Sequence, residues 1–188
     1  MPLQNLVPLD IPEQVLPDIV AQLASAGTAL PPEHVLRKAM QQFYVRSGPL
    51  FHVFDRQQMD LHLHSLFRER SPANAKKILC EVCCLAAVGS LYMRERCEAE
   101  QAMYGIARMF VDDVIRDTPL EAAKCCVLLG IFNIMSKTTV ALAYIELGMH
   151  LCRRHRSSRS DSLQPHESLQ DDYLDGKRTW RSLLFLGR

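Results

Sequence analysis

Between Ile78 and Val88 nearly every residue is apolar or small, so a helix built from this run has no polar face to show to water. Such a helix must be enclosed on all sides, which requires other elements layered around it. The rest of the chain supplies them as further helices. Apolar residues recur at helical spacing almost throughout, and strict apolar/polar alternation never persists for more than a few residues. No recurring repeat pattern is present. The fold class is therefore all-α, an irregular array of seven to eight helices.

Capping chemistry places the boundaries. Asp10 followed by Glu13 has capping-box spacing, the first helix starts in earnest near Pro17, and Gly27 is placed to end it. Pro31 and Pro32 open a second helix with Val35, Leu36, Ala39, Met40 and Phe43 on one face, and Gly48-Pro49 stops it. Leu50 to Phe54 forms a short apolar connector, with Phe51 and Phe54 as its anchors to the core. Asp55 with Gln58 then reads as N-cap and N3 of a helix reaching about Phe67. Ser71-Pro72 offers an N-cap and N1 ahead of the buried central helix. A helix from about Cys97 carries Met103, Ile106, Ala107, Phe110, Val111 and Val114 on one side. Thr118-Pro119-Leu120-Glu121 is the clearest start signal, with Thr as N-cap, Pro at N1 and Glu at N3.

The helix from Val140 to Cys152 closes on Arg153, Arg154 and His155, cations suited to its last carbonyls. Its short connection to the preceding helix implies antiparallel packing. The serine-rich and mixed-charge composition of residues 157–175 predicts a polar flexible linker. A last short helix, Trp180 to Leu186, is expected to find little to pack against. The organisation expected is an N-terminal helical extension (1–30), a helical regulatory domain (31–156), the linker (157–175) and a terminal helix of the same domain (176–188).

Composition narrows the setting. The 188 residues are 48% hydrophobic and 23% charged, with a net charge of +1; a pI near 7.6 gives no global field to hold a polyanion. Met1 to Leu9 lacks a basic start and a continuous apolar stretch, so no secretory signal is expected. Cys125 to Met135, the greasiest run, is broken by Gly130 and Asn133 and falls well short of the roughly 20 residues a membrane span needs. An intracellular protein without a membrane partner is expected. Six of the seven cysteines (Cys80, Cys83, Cys84, Cys125, Cys126 and Cys152) lie in apolar surroundings or adjacent pairs. They read as reduced thiols packed as small hydrophobes.

Chemistry-bearing patterns are sparse. Cys80 and Cys83 have the two-residue spacing of half a zinc site or a redox pair, but a tetrahedral site needs four ligands and a redox pair favours a helix N-terminus, whereas these sit mid-helix. The histidines at 34, 52, 62, 64, 150, 155 and 166 are scattered, and neither a phosphate loop nor a GxGxxG is present. Asp112-Asp113 and Asp171-Asp172 point to different faces of a helix and read as solvated surface. Arg153, Arg154, His155, Arg156 and Arg159 form one basic cluster, open to three readings: helix C-terminal charges, a nuclear import element, or a phosphate-binding patch. No catalytic residue, metal or cofactor is expected, and the chain is not read as an enzyme. The alternative in another class is a small helical enzyme whose site assembles from dispersed His, Asp and Cys.

Phe43-Tyr44 and Gly48-Pro49-Leu50-Phe51-His52-Val53-Phe54-Asp55-Arg56, followed by the buried Cys83 to Ser90 helix, come first in a series of ordered segments. Thr118 to Leu129, Ala143-Tyr144-Ile145-Glu146-Leu147-Gly148-Met149 and Arg178-Thr179-Trp180-Arg181-Ser182-Leu183-Leu184-Phe185 complete it. In order and spacing this series resembles the fungal-specific transcription factor domain, the middle homology region of fungal zinc-cluster regulators, over roughly Pro32 to Leu186. The resemblance implies part of a larger helical regulatory domain, with Phe51, Phe54, Asp55, Arg56, Gly148 and Trp180 as structural family positions. No cysteine precedes Cys80, so the zinc cluster by which that family reads DNA has no counterpart here. The implied function is a nuclear transcription regulator or co-regulator in a fungus, controlling a secondary-metabolite or catabolic gene set. It would act through contact with another regulator, a zinc-cluster protein, and reach DNA only indirectly. An inactive fragment of a larger regulator is the remaining alternative.

Overall fold

The computed structural model describes the backbone of residues 17–68, 74–93, 99–160 and 166–188, and their side chains except at 17, 159, 160 and 166–170. Eight helices make up the described residues: α1 (Pro17–Ser25), α2 (Glu33–Arg46), α3 (Arg56–Arg68), α4 (Ala75–Ser90), α5 (Ala99–Asp117), α6 (Pro119–Met135), α7 (Ala141–Ser160) and α8 (His166–Leu186). None of them is long and apolar enough to cross a membrane.

The apolar run does become the centre. From Ile78 to Ser90 every residue of α4 is buried, and α2, α3, α5 and α6 pack around it. The α2 face of Leu36, Ala39, Met40 and Phe43 and the α5 face of Met103, Ile106, Ala107, Phe110, Val111 and Val114 are both buried. At Gly89 the α4 backbone presses directly on α2: a Cβ there would stand 1.8 Å from the Ala39 carbonyl oxygen. Ile19 and Leu23 of α1 are buried in the same apolar cluster, and Gly27 ends that helix in the left-handed region, with φ at 68°.

The second buried helix, α6, is covered by α4, α5, α7 and α8. Its buried Asn133 is fully engaged. The side-chain amide donates to the Leu129 carbonyl (2.7 Å), its oxygen accepts from Tyr104 on α5 (3.1 Å) and from Thr138 in the following turn, and Tyr104 stacks on Phe132 with ring centroids 4.4 Å apart.

Several boundaries differ from those expected, for identifiable reasons. Asp55 caps α3 as expected, accepting from the Gln58 N–H at 3.0 Å. Thr118 is the N-cap of α6 and Pro119 opens it, as expected, but no side-chain cap bond forms; the Thr118 hydroxyl reaches back to the Val114 carbonyl at the end of α5, 3.5 Å away. The N-cap of α4 is Asn74, in the left-handed region with φ at 61°, and not Ser71. Ser71 and Pro72, like Asp10 and Glu13, lie outside the described residues.

The largest correction concerns the expected linker. Helix α7 does not stop at Cys152 but continues to Ser160, and α8 already runs from His166. Ser157 and Ser158 donate to the Arg153 and Arg154 carbonyls one turn back, both at 3.1 Å, so the polar residues are absorbed into the helix. Nor does the last helix lack partners. It lies along α6 and α7, burying Thr179, Ser182 and Leu183. The Thr179 and Ser182 hydroxyls turn back onto the Asp175 and Arg178 carbonyls, leaving small, hydrogen-bonded surfaces facing inward.

Candidate functional site

The residues singled out from sequence divide between two places: Phe51 and Phe54 lie where the connector between α2 and α3 approaches α8, and Gly148, Trp180 and Arg153 lie where α7 meets α8. Phe51 and Phe54 are each 8% exposed, and the Phe51 ring meets Phe185 of α8 edge-on, centroids 5.9 Å apart. Over the Phe54 ring, at 5.4 Å, sits the ammonium of Lys124, a buried cation on α6. That ammonium forms a short charge-assisted hydrogen bond with Asp175 of α8. Burying a lysine is costly unless it is paired, so α8 completes the core electrostatically as well as covering it.

Next to Phe54, Arg56 places its guanidinium 5.9 Å from the centroid of the Tyr44 ring. The Tyr44 hydroxyl donates to the Phe54 and Asp55 carbonyls, both at 3.4 Å. Burial pushes the Tyr44 phenol well up, and the neighbouring Asp55 and Asp60 add to the effect, so it remains a neutral donor. Gly148 of α7 allows a close approach: a Cβ there would stand 2.7 Å from a Leu183 methyl and 3.0 Å from the Cys126 Cβ. Trp180 takes the Arg153 guanidinium over its ring at 5.3 Å.

Arg153 and Arg154 do not stand at the C-terminus of their helix, because α7 runs on to Ser160 and leaves them more than a turn inside its end, whereas Arg159 falls in its last turn. Successive positions also turn through about 100° on a helix, so Arg153 engages Trp180 while His155 faces Asp172 at 3.7 Å. Arg154 and Arg156 are exposed, and the Arg159 side chain lies outside the described residues. Asp113 pairs with Lys76 (3.7 Å) and Arg116 (3.5 Å) while Asp112 is exposed, so the adjacent carboxylates do not act together.

Sequence reasoning missed two features of α4. Glu81 is 1% exposed within the apolar helix, with His62 Nδ1 of α3 at 3.1 Å and Lys77 Nζ at 3.8 Å. Neither Glu81 oxygen nor that ring nitrogen makes a hydrogen bond, so the contact is one of charge and proximity. The signal was visible as a lone carboxylate inside an apolar run. The second feature is a cluster of three thiols, Cys80, Cys84 and Cys125, whose sulfurs all lie within 4.8 Å of one another.

Cys80 and Cys84 share a face of α4 at i, i+4 spacing and meet Cys125 on α6; Cys83 is not part of the group. The Cys80 thiol donates to the Ala107 carbonyl at 3.3 Å, and its sulfur is 4.0 Å from that of Cys125. Hydrogen bonds from Cys125 and Cys84 draw the Cys80 thiol down to about 6 against the effect of its burial. Burial pushes Cys84 up, and it pushes Cys152 up to about 11. All six described cysteines are free and buried. Chemically the trio can pack, donate weak hydrogen bonds or bind a soft cation.

A cavity of about 420 Å³ lies elsewhere, between α1 and the start of α4, lined by Asp18, Gln22, Lys76, Lys77, Asp113 and Asp117 among others. It brings together cations and carboxylates but neither His nor Cys. No family model, no curated protein and no solved structure matches the chain.

Proposed function

We propose that this protein is a fungal transcription regulator or co-regulator that works by contacting another regulator, a zinc-cluster protein, in the nucleus and reaches DNA only through it. The observation that carries this reading is the meeting of two segments on which the family resemblance rests. Phe51 in the connector and Phe185 on α8 are in contact, Phe185 is 65% exposed, and their sequence neighbours Leu50 and Leu184 are 71% and 39% exposed. Large apolar side chains left exposed characterise protein-contact sites. The near-neutral charge suits a protein that does not itself grip a polyanion. The exposed Arg154 and Arg156 suit an import element, and a secondary-metabolite or catabolic gene set is the corresponding target class.

The test is deletion in the source fungus followed by transcript profiling and complementation. Wild-type chain is expected to restore a coherent set of transcripts, and Leu50→Asp/Phe185→Asp chain, folded by circular dichroism, is expected not to. Unchanged transcripts on deletion, or full rescue by the double variant, would refute the reading.

A further inference from the structure

We propose that Cys80, Cys84 and Cys125 form a three-coordinate site for a soft monovalent cation, Cu(I), joining α4 to α6 inside the core. The argument starts from the donor set. Three sulfurs from two helices converge within 4.8 Å, while Cys83, Cys126 and Cys152, also buried, stay out of the group. No carboxylate or imidazole belongs to it. Pure thiolate ligation selects soft ions such as Cu(I) and Zn(II) over magnesium or calcium.

Geometry separates those two. A metal about 2.3 Å from each of three sulfurs, lying in their plane, sets the sulfurs about 4.0 Å apart. The Cys80–Cys125 separation is 4.0 Å, so one edge of the triangle already has that length. The other two are no more than 4.8 Å, within reach of small side-chain rotations. Zinc completes a tetrahedron in structural sites, and among the described residues the group has no fourth His, Cys or carboxylate donor, whereas three sulfurs satisfy Cu(I). Each protonated thiol that binds as thiolate releases its proton to solvent, and no electron changes hands. By holding α4 and α6 together the ion would stabilise the folded state to the extent that it binds the assembled trio more tightly than the thiols of the unfolded chain.

The experiment uses the full chain, purified reduced and without metal, and titrated anaerobically with Cu(I) against a chromogenic Cu(I) chelator. About one copper per chain is expected to be retained, with a rise in Tm. X-ray absorption should show a copper with three sulfur neighbours and no nitrogen or oxygen. Cys125→Ala and the nearly isosteric Cys125→Ser are each expected to lose that copper, while Cys126→Ala keeps it. If the core variants do not fold, the wild-type absorption spectrum decides alone. Failure of the wild-type chain to compete with the chelator, copper retained by a folded Cys125 variant, or zinc bound in a four-coordinate site would each overturn the assignment.

Discussion

Two helix crossings in this protein depend on a glycine, and they differ in what the glycine faces. At Gly89, α4 meets the α2 backbone, with the Ala39 carbonyl oxygen where a Cβ would go. At Gly148, α7 meets side chains: the methyls of Leu183 and the Cβ of Cys126. Backbone cannot give way without moving a helix, whereas a leucine can change rotamer at modest cost. The α2–α4 crossing is therefore fixed, and the seating of α8 against α6 and α7 is adjustable. The surface proposed for partner contact lies on the adjustable side.

Gly89→Ala should break the first crossing outright. With the new methyl 1.8 Å from a backbone oxygen, the loss is expected to exceed about 4 kcal/mol, read as failure to fold or collapse of the urea midpoint. Asp175→Ala tests the other side by leaving Lys124 unpaired. Because Asp175 is itself 34% exposed, about 2–3 kcal/mol is expected rather than the full cost of orphaning a deeply buried charge. Amide exchange should accelerate in α8 before it does in α4.

Gly148→Ala should cost less still, about 1–2 kcal/mol, since overpacking against Leu183 is partly offset by the better helix propensity of alanine. Adding Leu183→Val should recover part of that loss, an interaction that a double-mutant cycle would measure. Gly105→Ala supplies the control: it lies in α5 with nothing within 4 Å of the added carbon, and a gain of about 0.5–1 kcal/mol is expected.

The same contrast shows what the sequence could reveal. Gly148 is singled out in the sequence by its place in the Ala143 to Met149 segment, one of those that carry the family resemblance. Gly89 is hidden inside a run where small residues are expected, and only the crossing gives it meaning. The α3 cap was legible because Asp55 acts on a residue three positions away. The start of α8 was not, because the residues from Asp171 to Leu174 are all exposed and leave no apolar stripe to mark the 3.6-residue period. Serine and mixed charge also describe a solvated helix face as well as a linker, so composition alone could not separate the two. Of the thiol trio, the i, i+4 spacing of Cys80 and Cys84 lies in the sequence, but their meeting with Cys125 depends on how α4 and α6 pack.

Asn133 has a consequence beyond its hydrogen bonds. Much of α6 is an apolar rod whose buried positions, from Ala122 to Phe132 with Lys124 apart, differ little in chemical character, and such a surface fits its neighbours almost as well when slid or rotated by one residue. A one-residue shift would turn the Asn133 amide about 100° away from Tyr104 and strand it among hydrocarbon. Together with the buried Lys124 and its Asp175 partner, the amide thus acts as a registration mark, favouring one alignment of α5, α6 and the turn at Thr138 over its one-residue neighbours.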